Sequence, residues 1–250
     1  MKIKELVLQL VFPRVCPVCK EVLPWHINDS LSSTDNNPYI CPECLKKLRP
    51  ITGTRCLRCS KPIESEEGEF CEDCEKSIRY FREGKALWLH AGAAKRIVYD
   101  LKFSSRKDNA DFIGYELARS LGRWLIYSDV TDIVPVPLHY KKQRSRGFNQ
   151  AVLIASALAH WMEIMYGVRI RVNNSLIERT EKTRPQKDLD PKYRYNNVHG
   201  AFAARADANG LRICLLDDIY TTGSTINEAA KVLKQAGAQY ITFITANIGI

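Results

Sequence analysis

The sequence predicts an α/β protein, a parallel-sheet domain preceded by a small Cys-rich module. Three observations carry that prediction. Beyond residue 80, apolar runs of strand length alternate with segments of helical period, the pattern of β-α-β units. One of those runs, Ile213-Cys214-Leu215-Leu216, enters two acids and a hydroxyl-and-glycine loop before a helical period begins at Ile226. Eight of the nine cysteines fall in four C-x-x-C pairs between residues 16 and 74.

A length of 250 residues allows one large domain or a domain with a small module. The last cysteine pair ends at Cys74, and a boundary near Arg79 to Gly84 divides the chain into residues 1–80 and 81–250. Hydrophobic content of 45% and charged content of 26% are those of a folded soluble protein. No apolar run is long enough to span a membrane. Met1 to Val15 carries Leu6, Val7, Leu8, Leu10, Val11 and Phe12 without a small-residue cleavage site. An amphipathic helix packed on the protein is therefore expected there, not a secretory signal. The expected compartment is cytoplasmic, where nine cysteines argue for metal and against disulfides.

The net charge of +9 is uneven. Residues 1–80 hold 12 of the 37 basic and 12 of the 28 acidic residues, so the whole excess falls on residues 81–250. A basic surface there suits phosphate-rich partners, small or polymeric; solubility alone is the plainer alternative that charge leaves open.

In the amino-terminal module, Cys16/Cys19, Cys41/Cys44, Cys56/Cys59 and Cys71/Cys74 can each clamp one side of a tetrahedral ion. Two pairs complete a four-thiolate zinc site, so eight thiolates suit two structural Zn²⁺. The first two pairs are separated by 21 residues and the last two by 11, both suitable ribbon loops. Pro17 and Pro42 fit the tight knuckle turns. Sequential pairing is preferred, although a cross-braced arrangement, first with third and second with fourth, obeys the same spacing. Asn28 to Pro38, rich in Ser, Asn and Asp, reads as a solvated loop. So small a segment builds little core of its own, which makes zinc its main source of folding energy. Between Cys44 and Ile63 lie six basic residues and no acid, then Glu64 to Glu75 turns acidic. The basic half could touch nucleic acid, though two zincs on eight thiolates add net negative charge of their own.

In the second domain, Ile97, Val98, Leu101 and Phe103 form a buried set, and Phe112 to Trp124 is an amphipathic helix through Ile113, Leu117 and Leu121. Thr131 to Pro137 is a strand that stops at its prolines. The following loop carries Lys141, Lys142, Arg144 and Arg146, four cations placed to hold a pyrophosphate or a nucleic-acid phosphate. A solvated basic turn is the plainer reading. A helix then starts near Asn149. Val168–Val172 and Leu176-Ile177 form a strand region, and Glu178 to Asn197 is a long polar stretch that suits a lid. Gly200-Ala201-Phe202, Leu211–Leu216 and Tyr240–Ala246 supply the remaining strands. Sites in such sheets sit at the carboxyl ends of strands.

That rule points to Asp217-Asp218 and the loop Thr221-Thr222-Gly223-Ser224-Thr225. The first amides of a helix are unpaired and favour an anion. Gly223 permits a tight turn, and the hydroxyls add donors. Two acids beside a phosphate cradle would repel the phosphate alone; they make sense against sugar hydroxyls or Mg²⁺. An ordinary capped helix after an acidic turn is the bland alternative. Neither G-x-G-x-x-G nor G-x-x-x-x-G-K-[ST] occurs, which weakens dinucleotide and Walker-type readings.

The segment resembles the phosphoribosyl-pyrophosphate (PRPP) motif of type I phosphoribosyltransferases. The resemblance implies that Asp217 and Asp218, the catalytic candidates, meet the ribose hydroxyls, with Thr221 to Thr225 around the 5′-phosphate and Mg²⁺ accompanying PRPP. Arg144-Ser145-Arg146-Gly147-Phe148-Asn149-Gln150, Arg184-x-Gln186 with Arg194-x-x-Asn197, and Gly200-Ala201-Phe202 resemble the signature of the ComF branch of phosphoribosyltransferase-like proteins. In that branch a zinc module precedes the transferase-like domain, so the resemblance covers nearly the whole chain. It implies a late-competence role in natural transformation, handling incoming single-stranded DNA in the cytoplasm with the competence helicase and other competence proteins.

Three functions follow as expectations. One is a PRPP-using transferase, whose catalysis is mostly positional and whose acceptor pocket no aromatic or carboxylate cluster announces. The second is a DNA-handling protein of competence, with Lys and Arg on phosphates and Tyr140, Phe148, Tyr193 or Tyr195 stacking bases. The third is a zinc-organised adaptor without nucleotide chemistry.

Overall fold

Strands as apolar as 213–216 need cover on both faces, and a parallel sheet wound with helices supplies it. The computed structural model describes residues 13–24, 37–64, 68–104, 106–180 and 200–249. The expected amino-terminal helix, much of the 28–38 loop and of the 178–197 lid, and Arg184, Gln186, Tyr193, Arg194, Tyr195 and Asn197 lie outside the described residues.

Two single turns, α1 (Pro42–Leu45) and α2 (Glu72–Glu75), carry Cys44 and Cys74. The order is then β1 (Gly84–Leu89), α3 (Gly92–Phe103), α4 (Asp108–Tyr127), β2 (Asp132–Pro135), α5 (Tyr140–Arg146), α6 (Gln150–Tyr166) and β3 (Arg171–Val172). After β4 (Ile177–Arg179) and β5 (Phe202–Ala204) come β6 (Arg212–Tyr220), α7 (Ser224–Gln235) and β7 (Tyr240–Ile248). The main sheet has the order β1-β7-β6-β2-β3 with every pairing parallel. β4 and β5 stand apart as an antiparallel pair. Among the described residues no helix is long and apolar enough to cross a membrane.

Alternate residues of the central strands enter two separate cores. Cys214, Leu216, Ile244 and Ala246 pack under α3, α4 and α6, while Ile213, Leu215, Ile241 and Phe243 pack under α7. Between α4 and α6 the helices approach so closely that a Cβ on Gly114 would lie 2.5 Å from that of Ala157. Trp88 of β1 stacks on Phe112 of α4 at 5.6 Å. Cys214, the ninth cysteine, is fully buried in β6.

Two elements differ from the sequence expectation. β6 does not stop at Leu216 but runs through both acids, because β7 pairs beside it as far as Tyr220↔Ile248. The basic stretch after Pro137 is not a loop but a short helix, since His139 caps its start and Gly147 (φ 76°) closes its end.

Candidate functional site

β6 delivers Asp217 and Asp218 to the carboxyl end of the sheet, and successive strand residues face opposite ways. Asp218, 3% exposed, turns toward α3 and α6. Its Oδ1 meets Lys102 Nζ at 2.7 Å, and its Oδ2 accepts from Gln150 Nε2. Gln150 in turn accepts from Arg146 at 3.0 Å. The result is a chain of contacts, Lys102–Asp218–Gln150–Arg146, that ties three helices to the strand.

Among the described residues, Asp217 has no such cation bonded to it. Its Oδ1 accepts the Asp218 backbone N–H at 2.8 Å. Burial, then the neighbouring Asp218 charge, push its pKa up to about 7, against the pull of Lys102 and Arg179. A carboxylate held that high gains most from a bound cation or a hydroxyl donor. Arg179, at the end of β4, lies under the opposite constraint. Burial lowers its pKa and the charge of Asp217 raises it; its Nε is buried without a hydrogen-bond partner among the described residues. Lys142 is likewise lowered, by burial and then by Arg179, Arg146 and Lys102. Four cations from three elements, Lys102 of α3, Lys142 and Arg146 of α5 and Arg179 of β4, thus crowd around two acids. Mutual repulsion among them is relieved by an anion with several charges.

The loop after β6 leads directly into the start of α7. Gly223 has φ 77° and forms the amino-terminal cap of α7 without a side-chain hydrogen bond to the cap. The Thr222 and Ser224 hydroxyls lie 2.9 Å apart, and Thr221 is exposed. Ser224 N–H meets Thr222 Oγ1 at 3.5 Å, and the first amides of α7 have no intrahelical partner. Two acids, the start of a helix and several cations thus gather at the carboxyl end of β6. His90 Nδ1 is 3.0 Å from Asn247 Nδ2, and burial, then the charges of Lys102 and Lys95, lower its pKa.

The four cations expected on one loop divide. Arg146 is half-buried against Gln150, whereas Lys141, Lys142 and Arg144 are exposed on α5, with Lys142 near enough to feel the charges of Arg179, Lys102 and Asp218. Sequence reading missed Lys102, one cation among several on α3, and left Gln150 without a role. Tyr140 is exposed and Phe148 lies beneath Lys107 at 5.1 Å. A further exposed pair, Tyr99 and Phe103, stacks at 4.8 Å with Arg146 over the Phe103 ring.

Each set of four cysteines gathers its sulfurs within 4.8 Å: Cys16, Cys19, Cys41, Cys44 and, separately, Cys56, Cys59, Cys71, Cys74. The pairing is sequential. Cys19 and Cys41 sulfurs are 3.8 Å apart and those of Cys59 and Cys71 3.5 Å. A tetrahedral ion with bonds of about 2.3 Å sets edges of about 3.8 Å, so both sets fit Zn²⁺. Their thiols compete for charge. Burial raises Cys16 but backbone N–H groups outweigh it, bringing it down to about 7, while Cys44 is pushed up to about 12 by burial and its neighbours. A divalent cation removes that competition by letting all four ionise.

The family model described as the double zinc ribbon domain matches residues 7–75. Competence protein F of Haemophilus influenzae is 30% identical over 224 residues, covering 81% of this chain and 94% of that protein. Competence protein ComFC of Bacillus subtilis is 28% identical, covering 79% of each chain. DNA utilization protein YhgH of Salmonella typhimurium is 33% identical, covering 80% of this chain and 86% of that one. Among solved structures, the purine phosphoribosyltransferase from Pyrococcus horikoshii Ot3 aligns with 59% of this chain and 83% of its own at 15% identity, with a TM-score of 0.32.

Proposed function

The chain belongs to the ComF family, and from that premise we propose that it is a cytoplasmic competence protein that binds PRPP with Mg²⁺ and handles incoming single-stranded DNA. The observation that carries the reading is the convergence of Lys102, Lys142, Arg146 and Arg179 on Asp217 and Asp218 beside the Thr221–Thr225 loop. In this reading Asp217 and Asp218 face the ribose hydroxyls, and the amides from Thr222 to Thr225 hold the 5′-phosphate. Lys142, Arg146 and Arg179 face the pyrophosphate. Asp217 would hold Mg²⁺, which would supply neutralising charge beside the pyrophosphate. The raised pKa of Asp217 suits that task, because a nearby dication favours its ionised form.

DNA handling is supported by the names of the relatives and by the surface next to the pocket. Tyr99 and Phe103 offer exposed ring faces, and Lys95, Arg96, Lys141 and Arg144 are exposed around them or on α5. Aromatic faces among cations suit a single strand, whose bases stack and whose phosphates need charge. A competence helicase and other competence proteins are the expected partners. The second reading, a transferase that joins ribose to an unknown acceptor, is favoured by the completeness of the PRPP motif.

One titration separates these readings. Mg²⁺–PRPP added to the full-length, zinc-loaded protein should bind saturably at one site per chain. The Asp217→Asn/Asp218→Asn pair should lower affinity by roughly a hundredfold or more, the loss expected when a metal and its paired carboxylates are disrupted. No saturable binding by the wild type would remove the PRPP reading. Repeating the titration with single-stranded DNA, while following pyrophosphate release, tests the rest: steady release identifies a transferase, and salt-sensitive DNA binding weakened by alanine at Lys141, Lys142, Arg144 and Arg146 supports the DNA role.

A further inference from the structure

The second four-cysteine ribbon and the phosphate loop are 143 or more residues apart along some of their contacts, yet three ties join them. The first is Tyr220, the last residue of β6 and 1% exposed. Its ring stacks on Phe243 at 4.7 Å and meets Phe81 edge-on at 6.5 Å. Its hydroxyl is buried and has no hydrogen-bond partner among the described residues, while the charges of Cys59 and Cys74 act on it. On the other side, a Cβ on Gly223 would lie 2.2 Å from that hydroxyl. The phenol therefore sits between a metal-ligand sulfur and the glycine that turns the phosphate loop.

The second tie is Arg79, which donates to the Asp73 carbonyl at 2.5 Å inside the ribbon and to the Thr222 carbonyl at 3.1 Å in the loop. The third is Asn227, in the first turn of α7. Its side chain accepts from the Tyr80 N–H at 2.8 Å and donates to the Ile78 carbonyl at 2.9 Å. Residues 78–80 thus grip the loop from its Thr222 side and from its helix side. All four ligand cysteines of this ribbon share one buried cluster with Tyr220, Phe81, Phe243 and Ile226.

A phosphate cradle made of backbone amides works only while those amides are held in place, since ordering them on binding costs affinity. We propose that the second ribbon is the support of the phosphate loop, with Tyr220 as the positioning residue that passes the geometry of the Cys59 site to Gly223. Metal in Cys56, Cys59, Cys71 and Cys74 thereby sets whether Thr221–Thr225 can hold a phosphate monoester. In the metal-loaded ribbon the Tyr220 hydroxyl, otherwise without a partner among the described residues, would donate to the Cys59 thiolate in a charge-assisted bond. The inference rests on the reading that this loop takes the 5′-phosphate.

Tyr220→Phe isolates the link, because it keeps the ring stack and removes only the hydroxyl. Two measurements on full-length, zinc-loaded protein test it, with ribose 5-phosphate as the probe. Hydrogen exchange of the amides from Thr222 to Asn227 should quicken about tenfold, the factor for a hydrogen bond of ordinary net strength, with two zincs per chain retained. Affinity for ribose 5-phosphate should fall by about the same factor. Wild-type exchange in those amides would overturn the proposal, as would equal quickening throughout the sheet. Absence of ribose 5-phosphate binding by the wild type would instead defeat the ligand reading, and the exchange measurement would still decide whether ribbon and loop are coupled.

Discussion

The two ribbons carry the same ligands and differ in what they touch. The first packs on the helical face of α4 and α6. Tyr39 meets Tyr115 at 5.4 Å and Trp161 at 6.0 Å, and Lys20 bonds Asp100 of α3 at 2.5 Å. Cys19 there is exposed and Cys41 half-buried. The second ribbon has all four cysteines buried and lies on the α7 face. Its knuckle is sewn to the start of β1, with Gly84 N–H donating to the Arg58 carbonyl at 2.8 Å and Ser60 Oγ to the Gly84 carbonyl at 2.7 Å. Ligand chemistry makes a ribbon fold; the face it docks on decides what its loss would disturb.

The largest expected effect comes from breaking one ribbon at a time. Cys59→Ser should remove one zinc and lower unfolding free energy by about 4 kcal/mol or more, since it opens a buried metal site inside a core. Cys19→Ser, where water reaches the ligand, should cost about 2 kcal/mol. Zinc content and thermal melting check both, and equal losses would erase the difference between the ribbons.

Gly223→Ala should rank next. It places a side chain in the left-handed region and against the Tyr220 hydroxyl, together costing about 3 kcal/mol. Gly53→Ala is the matched control: its φ is 74° but nothing lies within 4 Å of the added carbon, so about 1 kcal/mol is expected. Denaturant melts of the two variants separate the contact from the backbone strain.

Smaller still is the pH response of Asp217. Its pKa, raised to about 7, means that the folded protein binds a proton which the unfolded chain has already released. The stability this gives is fully present below about pH 4 and is lost as pH rises through about 7. Metal binding runs the other way, because it needs the ionised carboxylate. Affinity for Mg²⁺–PRPP should therefore rise through pH 7, by up to about tenfold per pH unit, and Asp217→Asn should abolish that slope. The smallest effect belongs to the first ribbon's docking contact. Lys20→Met removes a half-exposed ion pair and should cost about 1 kcal/mol or less, with phosphate affinity unchanged in titration.

What could be read from sequence follows from how local each signal is. The acids and the Thr221–Thr225 loop were legible because a buried apolar run, a turn glycine and a helical period adjoin in one segment. The ligand cysteines were legible from C-x-x-C spacing, but spacing is blind to pairing, which contacts decide. Lys102 was not legible: its Nζ reaches Asp218 only because α3 folds over the sheet from a distant part of the chain. Nothing in the sequence singles out Tyr220. Its role depends on Phe81, Phe243 and Cys59, three partners brought together only by packing. The helix α5 was hidden because Tyr140 to Arg146 has no apolar face and is defined by its caps.

The most direct measurement compares Mg²⁺–PRPP affinity in full-length wild type, Cys19→Ser and Cys59→Ser, each loaded with zinc to its capacity and confirmed folded by circular dichroism. The expected result is wild-type affinity in Cys19→Ser and a loss of tenfold or more in Cys59→Ser, the range set by displacing a preorganised anion cradle. Equal affinities in the two variants, or no saturable binding in the wild type, would contradict a phosphate site supported by the second ribbon.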